Sequence, residues 1–176
     1  MKSVLISIQP KWCELIASGE KTVEVRKTRP KLETPFKVYI YETQGRTETP
    51  FVDEEGHHIF KGRGQVIGEF VCDSIMSFKA MGEVQAIYNK FHNTCLTSEE
   101  IIKYASGKRL FYWYISNLVI YDKPRELSEF STPCKMKERL CGLCDYAVHG
   151  MDGDLIDCNT RLSRPPQSWC YVEVRE

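Results

Sequence analysis

Gly19-Glu20-Lys21-Thr22-Val23-Glu24-Val25-Arg26 is the stretch on which the reading of this chain turns. From Lys21 to Lys27 polar and apolar residues alternate with a period of two, the repeat of a strand whose side chains point to opposite faces in turn. Val23 and Val25 fall on one face, and Thr22, Glu24 and Arg26 on the other. The polar face therefore offers a hydroxyl, a carboxylate and a guanidinium, with Lys21 just ahead of them at the mouth of a Gly turn. If that face lines a pocket, Arg26 as a planar fork and Lys21 as a point charge can hold a phosphate or a carbonyl oxygen. Glu24 can accept from an exocyclic amine or a ring N–H, or act as a general base where burial raises its pKa. A solvent-facing strand with cross-strand ion pairs shows the same alternation, and on periodicity alone that is the commoner case.

Working outward, Val4 to Ile8 is a nearly continuous apolar run bounded by Gln9-Pro10, which predicts a central strand. Pro10 suits the first turn of a helix, where its missing N–H costs little. Trp12, Leu15 and Ile16 then recur at helical spacing, and Gly19 closes the helix as a left-handed cap. Pro35 to Thr43 predicts a strand with Val38 and Ile40 opposite Tyr39 and Tyr41, and Gly64 to Cys72 another. Residues 44–63 are polar and weakly patterned, a loop excursion. Residues 79–107 read as a helical insertion, with a capping box at Thr97-Ser98-Glu99-Glu100 ahead of Ile101, Ile102 and Tyr104. Leu110 to Tyr121 is rich in aromatic and β-branched residues and predicts a core strand; Ser168 to Val174 supplies a last one. The sum is a single α+β, mainly β, domain over residues 1–176: about six strands as an antiparallel or mixed barrel, two or three short helices, and a Cys-rich C-terminal excursion at 131–160.

Composition narrows the setting. No apolar run approaches the ~20 residues that cross a bilayer, and Met1 to Pro10 reads as a strand rather than a signal peptide, so the expected location is the cytoplasm. Lys plus Arg and Asp plus Glu both number 24, so no global field advertises nucleic acid. The distribution is uneven: residues 1–50 hold nine cations and six anions, and that excess sits with the Gly19–Arg26 stretch. Phosphate contact needs only a few clustered cations.

Eight cysteines in a reducing compartment point to buried thiols, metal ligands or catalytic groups before disulfides. Cys134, Cys141, Cys144 and Cys158 follow a C-x6-C-x2-C-x13-C spacing, which can make a tetrahedral structural zinc site in a segment with little apolar pattern of its own. His149 is a rival fourth ligand, and unliganded thiols in a loop are the alternative. Cys13, Cys72, Cys95 and Cys170 read as small apolar residues, and the His57-His58 pair as surface loop. Trp12, Trp113 and Trp169 are possible base-stacking platforms, but aromatic side chains also dominate cores. Core packing is the expected role for Trp113 and either role for Trp12; Trp169 is expected at a cleft rim or as a plug of the barrel end, with packing the favoured role.

The run from Ile8-Gln9-Pro10-Lys11-Trp12 through Gly19, Lys21, Glu24 and Arg26 resembles the opening of the ASCH domain family, whose hallmark is a strand, a short helix and a Gly-x-Lys-x-x-Glu-x-Arg turn and strand. Trp113-Tyr114-Ile115-Ser116-Asn117-Leu118 and Arg164-Pro165-Pro166-Gln167-Ser168-Trp169 resemble a phage and gut-bacterial branch of it. The resemblance spans most of the chain except roughly 44–63, 79–107 and 131–160. It implies a PUA-like β-barrel with a cleft beside the motif that binds RNA, a nucleotide or a modified nucleobase. The ligand-binding set it suggests is Gln9, Lys11, Trp12, Lys21, Thr22, Glu24 and Arg26. Some members of similar fold are amidohydrolases acting on acetylated cytidine, and others are ribonucleases. If this chain is such a hydrolase, Lys21 and Glu24 are its catalytic candidates, and Glu69 is a third group that could converge on them. The amidohydrolases use a Thr two residues before the Arg, and here Glu24 stands in that place, while Thr22 is not the matching position. A third reading is a protein-interaction module of a phage or mobile element.

Overall fold

The structure is a computed structural model that describes residues 2–48, 59–79, 93–133, 147–149, 151–152, 155–158 and 160–174. In chain order the elements are β1 (Ser3–Ile8), α1 (Pro10–Ala17), β2 (Val23–Arg26), β3 (Phe36–Glu42), β4 (Arg46–Glu48), β5 (Ile59–Lys61), β6 (Val66–Lys79), α2 (Ser98–Ala105), β7 (Arg109–Arg125), β8 (Phe130–Ser131), β9 (Ala147–His149), β10 (Leu155–Cys158) and β11 (Trp169–Val174). Seven of the strands form one sheet in the order β2-β7-β6-β3-β1-β11-β8. The β1–β3 pair is parallel, with Ile6 opposite Ile40, and the other pairs are antiparallel. The fold class stands as mainly β and PUA-like, with one correction: the sheet is open, ending on β2 and β8, rather than closed into a barrel.

Apolar alternation places the core. On β3, Val38 and Ile40 join Val4, Ile6, Ile8, Phe70 and Trp113 in one cluster, capped by Cys13 and Ile16 of α1. Tyr39 and Tyr41 point the other way, into a cluster with Leu5, Val66, Phe130 and Val172. A third cluster seats Ile101 and Ala105 of α2 on Val23, Val25, Leu110 and Tyr112. Every residue of β1 and of β2 is buried. A strand covered on both faces cannot present a solvent-facing row, which removes the inert reading of the Glu24 and Arg26 face.

Both helices begin and end as their sequences dictate. Pro10 opens α1, and Gly19 (φ +80°) turns the chain out of it. The Thr97 hydroxyl accepts from Glu100 N at 3.1 Å while the Glu100 carboxylate accepts from Thr97 N at 2.7 Å, the reciprocal box that starts α2.

The excursions depart from expectation. Residues 46–48 and 59–61 pair as a β4–β5 hairpin within the stretch read as loop. Of 79–107, Lys79 belongs to β6 and, among the described residues, helix spans Ser98–Ala105; residues 80–92 lie outside the described residues. The long β6–β7 ladder absorbs this length through three register shifts, and Asn117 takes a left-handed φ of 45° within β7. Within 131–160, β9 and β10 form a second hairpin. Among the described residues no helix is long and apolar enough to cross a membrane.

Candidate functional site

The C-terminal ends of β1 and β3, the first turn of α1, β2, α2 and the segment before β11 meet around a cavity of about 740 Å³. Ser7, Ile8, Gln9 and Trp12 line one side, Lys21, Glu24, Val25 and Arg26 the floor, Leu96, Glu100 and Tyr104 a second side, and Pro165–Ser168 a third. Five of the seven residues expected to bind ligand thus converge: Gln9, Trp12, Lys21, Glu24 and Arg26. Lys11 does not line the cavity; its ammonium stands 4.6 Å from the Trp12 ring centre. Thr22 does not line it either. Strand β2 begins only at Val23, so the alternation does not extend back to Thr22, whose side chain is exposed and whose backbone bonds to Asn93 O and Ile115 N.

The floor is a buried triad. Lys21, Glu24 and Arg26 are 2%, 6% and 8% exposed. Strict alternation would set Lys21 with the valines, but the turn after Gly19 swings it beside Glu24, Nζ to Oε2 at 3.4 Å. The same ammonium donates to Val23 O at 2.8 Å and Thr94 O at 2.7 Å, so all three of its donors are engaged. Arg26 Nε lies 2.9 Å from Glu24 Oε1, an ionic contact in which the N–H is not directed at the oxygen. Arg26 Nη2 donates to Ser7 O at 2.6 Å and Nη1 to Ser168 Oγ at 3.5 Å. Burial lowers the Lys21 pKa, and Glu24 opposes that shift. The triad thereby locks β2 to β1, to the 93–96 segment and to the start of β11, while Glu24 and one edge of Arg26 border the cavity.

This arrangement corrects one expectation of chemistry. Lys21 cannot serve as a free phosphate clamp, because its donors are spent within the fold. Glu69 does not reach the site: its carboxylate accepts from Lys37 Nζ at 2.6 Å and from the Tyr121 hydroxyl at 2.6 Å, away from the cavity lining. None of Cys13, Cys72, Cys95 and Cys170 lines the cavity. Burial raises the pKa of Cys13 and Cys95, takes Cys72 to about 12 and Cys170 to about 11. Trp113 is fully buried, edge-on to Phe36, and Trp169 is half-buried beside it with its indole N–H on Thr28 Oγ1 at 2.9 Å.

Tyr104, Glu100 and Ser168 are among the lining residues that were not singled out in the sequence. Glu100 and Tyr104 are four apart on α2, hence on one helical face, which was the available signal. Nothing local marks Ser168; only the β1–β11 pairing carries it to Arg26.

For metal, Cys134, Cys141 and Cys144 lie outside the described residues, as do His57 and His58. Cys158 sits opposite Ala147 on the β9–β10 hairpin and His149 opposite Leu155, at different ends of the ladder. Among the described residues no group of three or more His, Cys, Asp or Glu converges.

A mixed open sheet with a cavity at the end of its parallel pair, floored by the Gly-x-Lys-x-x-Glu-x-Arg strand, is a PUA-like domain. The ASCH domain model matches residues 6–125, and the chain belongs to that family. A solved ASCH protein from Zymomonas mobilis is similar over 97% of this chain and 87% of its own, at 17% identity and a TM-score of 0.55. Two variants of that protein match likewise, at 16% identity over 97% and 88% with a TM-score of 0.55, and at 19% over 72% and 77% with 0.50. Such identities speak for the fold alone. No curated protein matches the sequence. The phage and gut-bacterial branch gains no support from these relatives.

Proposed function

We propose that the cavity binds RNA, a nucleotide or a nucleobase, with a base held between Trp12 and Tyr104 over the Glu24–Arg26 floor. ASCH domains are generally RNA-binding, PUA-like domains, and this chain is one of them. The observation that carries the reading is the cavity: about 740 Å³, two aromatic side chains in its walls and a buried carboxylate–guanidinium pair at its base. Ligand sites commonly measure ~300–1,000 Å³, mostly apolar with a few fixed polar groups. Stacking on an aromatic face contributes ~1–3 kcal/mol per base. Glu24 accepts from a base's N–H groups, and the Arg26 Nη1 edge donates to a ring or carbonyl acceptor.

Tryptophan fluorescence titration with the four ribonucleosides and with short single-stranded RNA tests this. Trp12→Ala and Glu24→Gln should each weaken binding about tenfold or more. Unchanged affinity in both variants would remove the pocket from the account. A hydrolase using Lys21 and Glu24 is not favoured, because the ammonium is saturated and a carboxylate occupies the hydroxyl's position. Turnover of an acetylated nucleoside or of RNA, lost in Glu24→Gln, would reinstate it.

The cysteine spacing supports a separate proposal, that Cys134, Cys141, Cys144 and Cys158 hold one structural zinc. Such a site stabilises a segment of little apolar content. Metal analysis of the purified protein should return close to one equivalent, and less than about half an equivalent counts against the site.

A further inference from the structure

We propose that the segment Lys27-Thr28-Arg29-Pro30-Lys31, with Arg164, is a phosphate-binding ledge that carries the backbone of single-stranded RNA past the mouth of the cavity. The proposal rests on reading that cavity as a base pocket and adds that its ligand is a polymer.

Lys27, Arg29, Lys31 and Arg164 are all exposed, and among the described residues none of them makes an ion pair. The segment nevertheless has a fixed course. The Lys27 ammonium stands 4.7 Å from the ring centre of Tyr104. Thr28 Oγ1 accepts from Trp169 Nε1 at 2.9 Å, Pro30 is buried, and Lys31 N donates to the Tyr171 hydroxyl at 2.7 Å. The ledge thus starts on a wall residue of the cavity and ends against β11. Arg164 immediately precedes Pro165–Ser168, which line the cavity from that strand's side. Glu33, two residues past Lys31, is the only acid in residues 27–35.

The cations inside the cavity cannot do this job. Lys21 has no donor left, and the Arg26 edge that Ser7 O and Ser168 Oγ leave free is taken, on the pocket reading, by the base. A phosphate attached to a bound base is therefore met outside, where Lys27 stands over the wall residue Tyr104. An aromatic slot beside a cationic track is the arrangement that single strands need, since each base has a π-face and each phosphate a charge. A duplex would keep its bases stacked and out of the cavity.

The test uses the whole protein. Fluorescence anisotropy of a labelled single-stranded RNA of about ten nucleotides is measured at about 50 and about 200 mM salt for the parent and for Lys27→Gln/Arg29→Gln/Lys31→Gln/Arg164→Gln. Each phosphate contact on a single strand contributes about 0.7 to the slope of log K against log salt. Four contacts make the parent's loss over that range about 50-fold larger than the variant's. Nucleoside binding should be the same in both proteins, and circular dichroism should confirm that the variant is folded. Equal salt slopes in parent and variant would overturn the ledge while leaving the pocket reading intact. A slope that falls as expected, with no nucleoside binding by the parent, would uphold the ledge and sink the pocket. Equally tight binding of polyglutamate would overturn the choice of RNA, and equally tight binding of a duplex the choice of single strand.

Discussion

Replacing Lys21 with Met removes a charge while keeping the length and most of the apolar volume of the side chain. Lys21 is 2% exposed, and Thr94, whose carbonyl it holds, is 0% exposed, so no water takes over when the ammonium goes. The ammonium bonds Thr94 O at 2.7 Å and Val23 O at 2.8 Å and stands 3.4 Å from Glu24. Hydrogen bonds to a charged group contribute ~1.5–3 kcal/mol each. The cost of burying the ammonium, which is what lowers its pKa, offsets part of that sum. Removing one member of a buried pair costs ~3–5 kcal/mol because the other charge is stranded. Glu24 keeps Arg26 at 2.9 Å, so the expected loss lies at the low end, about 3 kcal/mol. For a chain of this length that lowers the melting temperature by ~6–12 °C. Urea unfolding followed by tryptophan fluorescence and circular dichroism reads the loss directly. Glu24→Gln and the double variant Lys21→Met/Glu24→Gln complete a cycle whose coupling should be ~1–3 kcal/mol. A loss under about 1 kcal/mol with no coupling would refute the reasoning, since it would mean that the ammonium is solvated and the triad holds nothing together.

Three further outcomes follow from other parts of the fold. Glu42 is 3% exposed, and burial raises its pKa against the pull of Arg63, whose N–H donates to it at 2.8 Å. From the unfolded value of 4.5 up to the raised native value the folded protein binds more protons than the unfolded one, so stability falls as pH rises. Glu42→Gln keeps the acceptor without the charge. Its urea midpoint should match the parent's near about pH 4 and exceed it near about pH 7, and the reverse trend would contradict the assignment. Gly68→Ala puts a Cβ 2.4 Å from Val119 O, a backbone atom of the paired strand, and should lower the thermal midpoint through a loss of about 1–3 kcal/mol. Thr97→Ala removes the acceptor for Glu100 N and should cost about 1 kcal/mol, read by chemical unfolding.

Local chemistry made much of this protein legible. Pro10, Gly19 and the Thr97–Glu100 box mark where helices begin and end because they act on groups within one turn. The opposed pairs Val38/Ile40 and Tyr39/Tyr41 announced a strand, because side-chain alternation is a property of the strand itself; that both faces are buried came from the packing. Harder to read were elements whose form depends on a distant partner. The β4–β5 hairpin has weak intrinsic patterning, and the full length of β6 and β7 exists only because each supplies the other's hydrogen bonds across three register shifts. Whether the sheet closes was beyond reach for the same reason: closure is a matter of which strands end up at the edges.

The Gly19–Arg26 stretch divides along the same line. By itself the sequence determined a strand, read from Lys21 to Lys27 and formed at Val23–Arg26, with a carboxylate and a guanidinium on one of its faces. It also determined the family, through the spacing of Gly19, Lys21, Glu24 and Arg26. Only the tertiary structure decided that this face is covered, that Lys21 joins it by way of the turn, and that both cations are bound inward by Ser7, Thr94 and Ser168. A side chain's charge is written in the sequence. How many of its donors remain for a ligand depends on which carbonyls and hydroxyls the fold brings within 3.5 Å of it, and those come from residues up to 142 positions away.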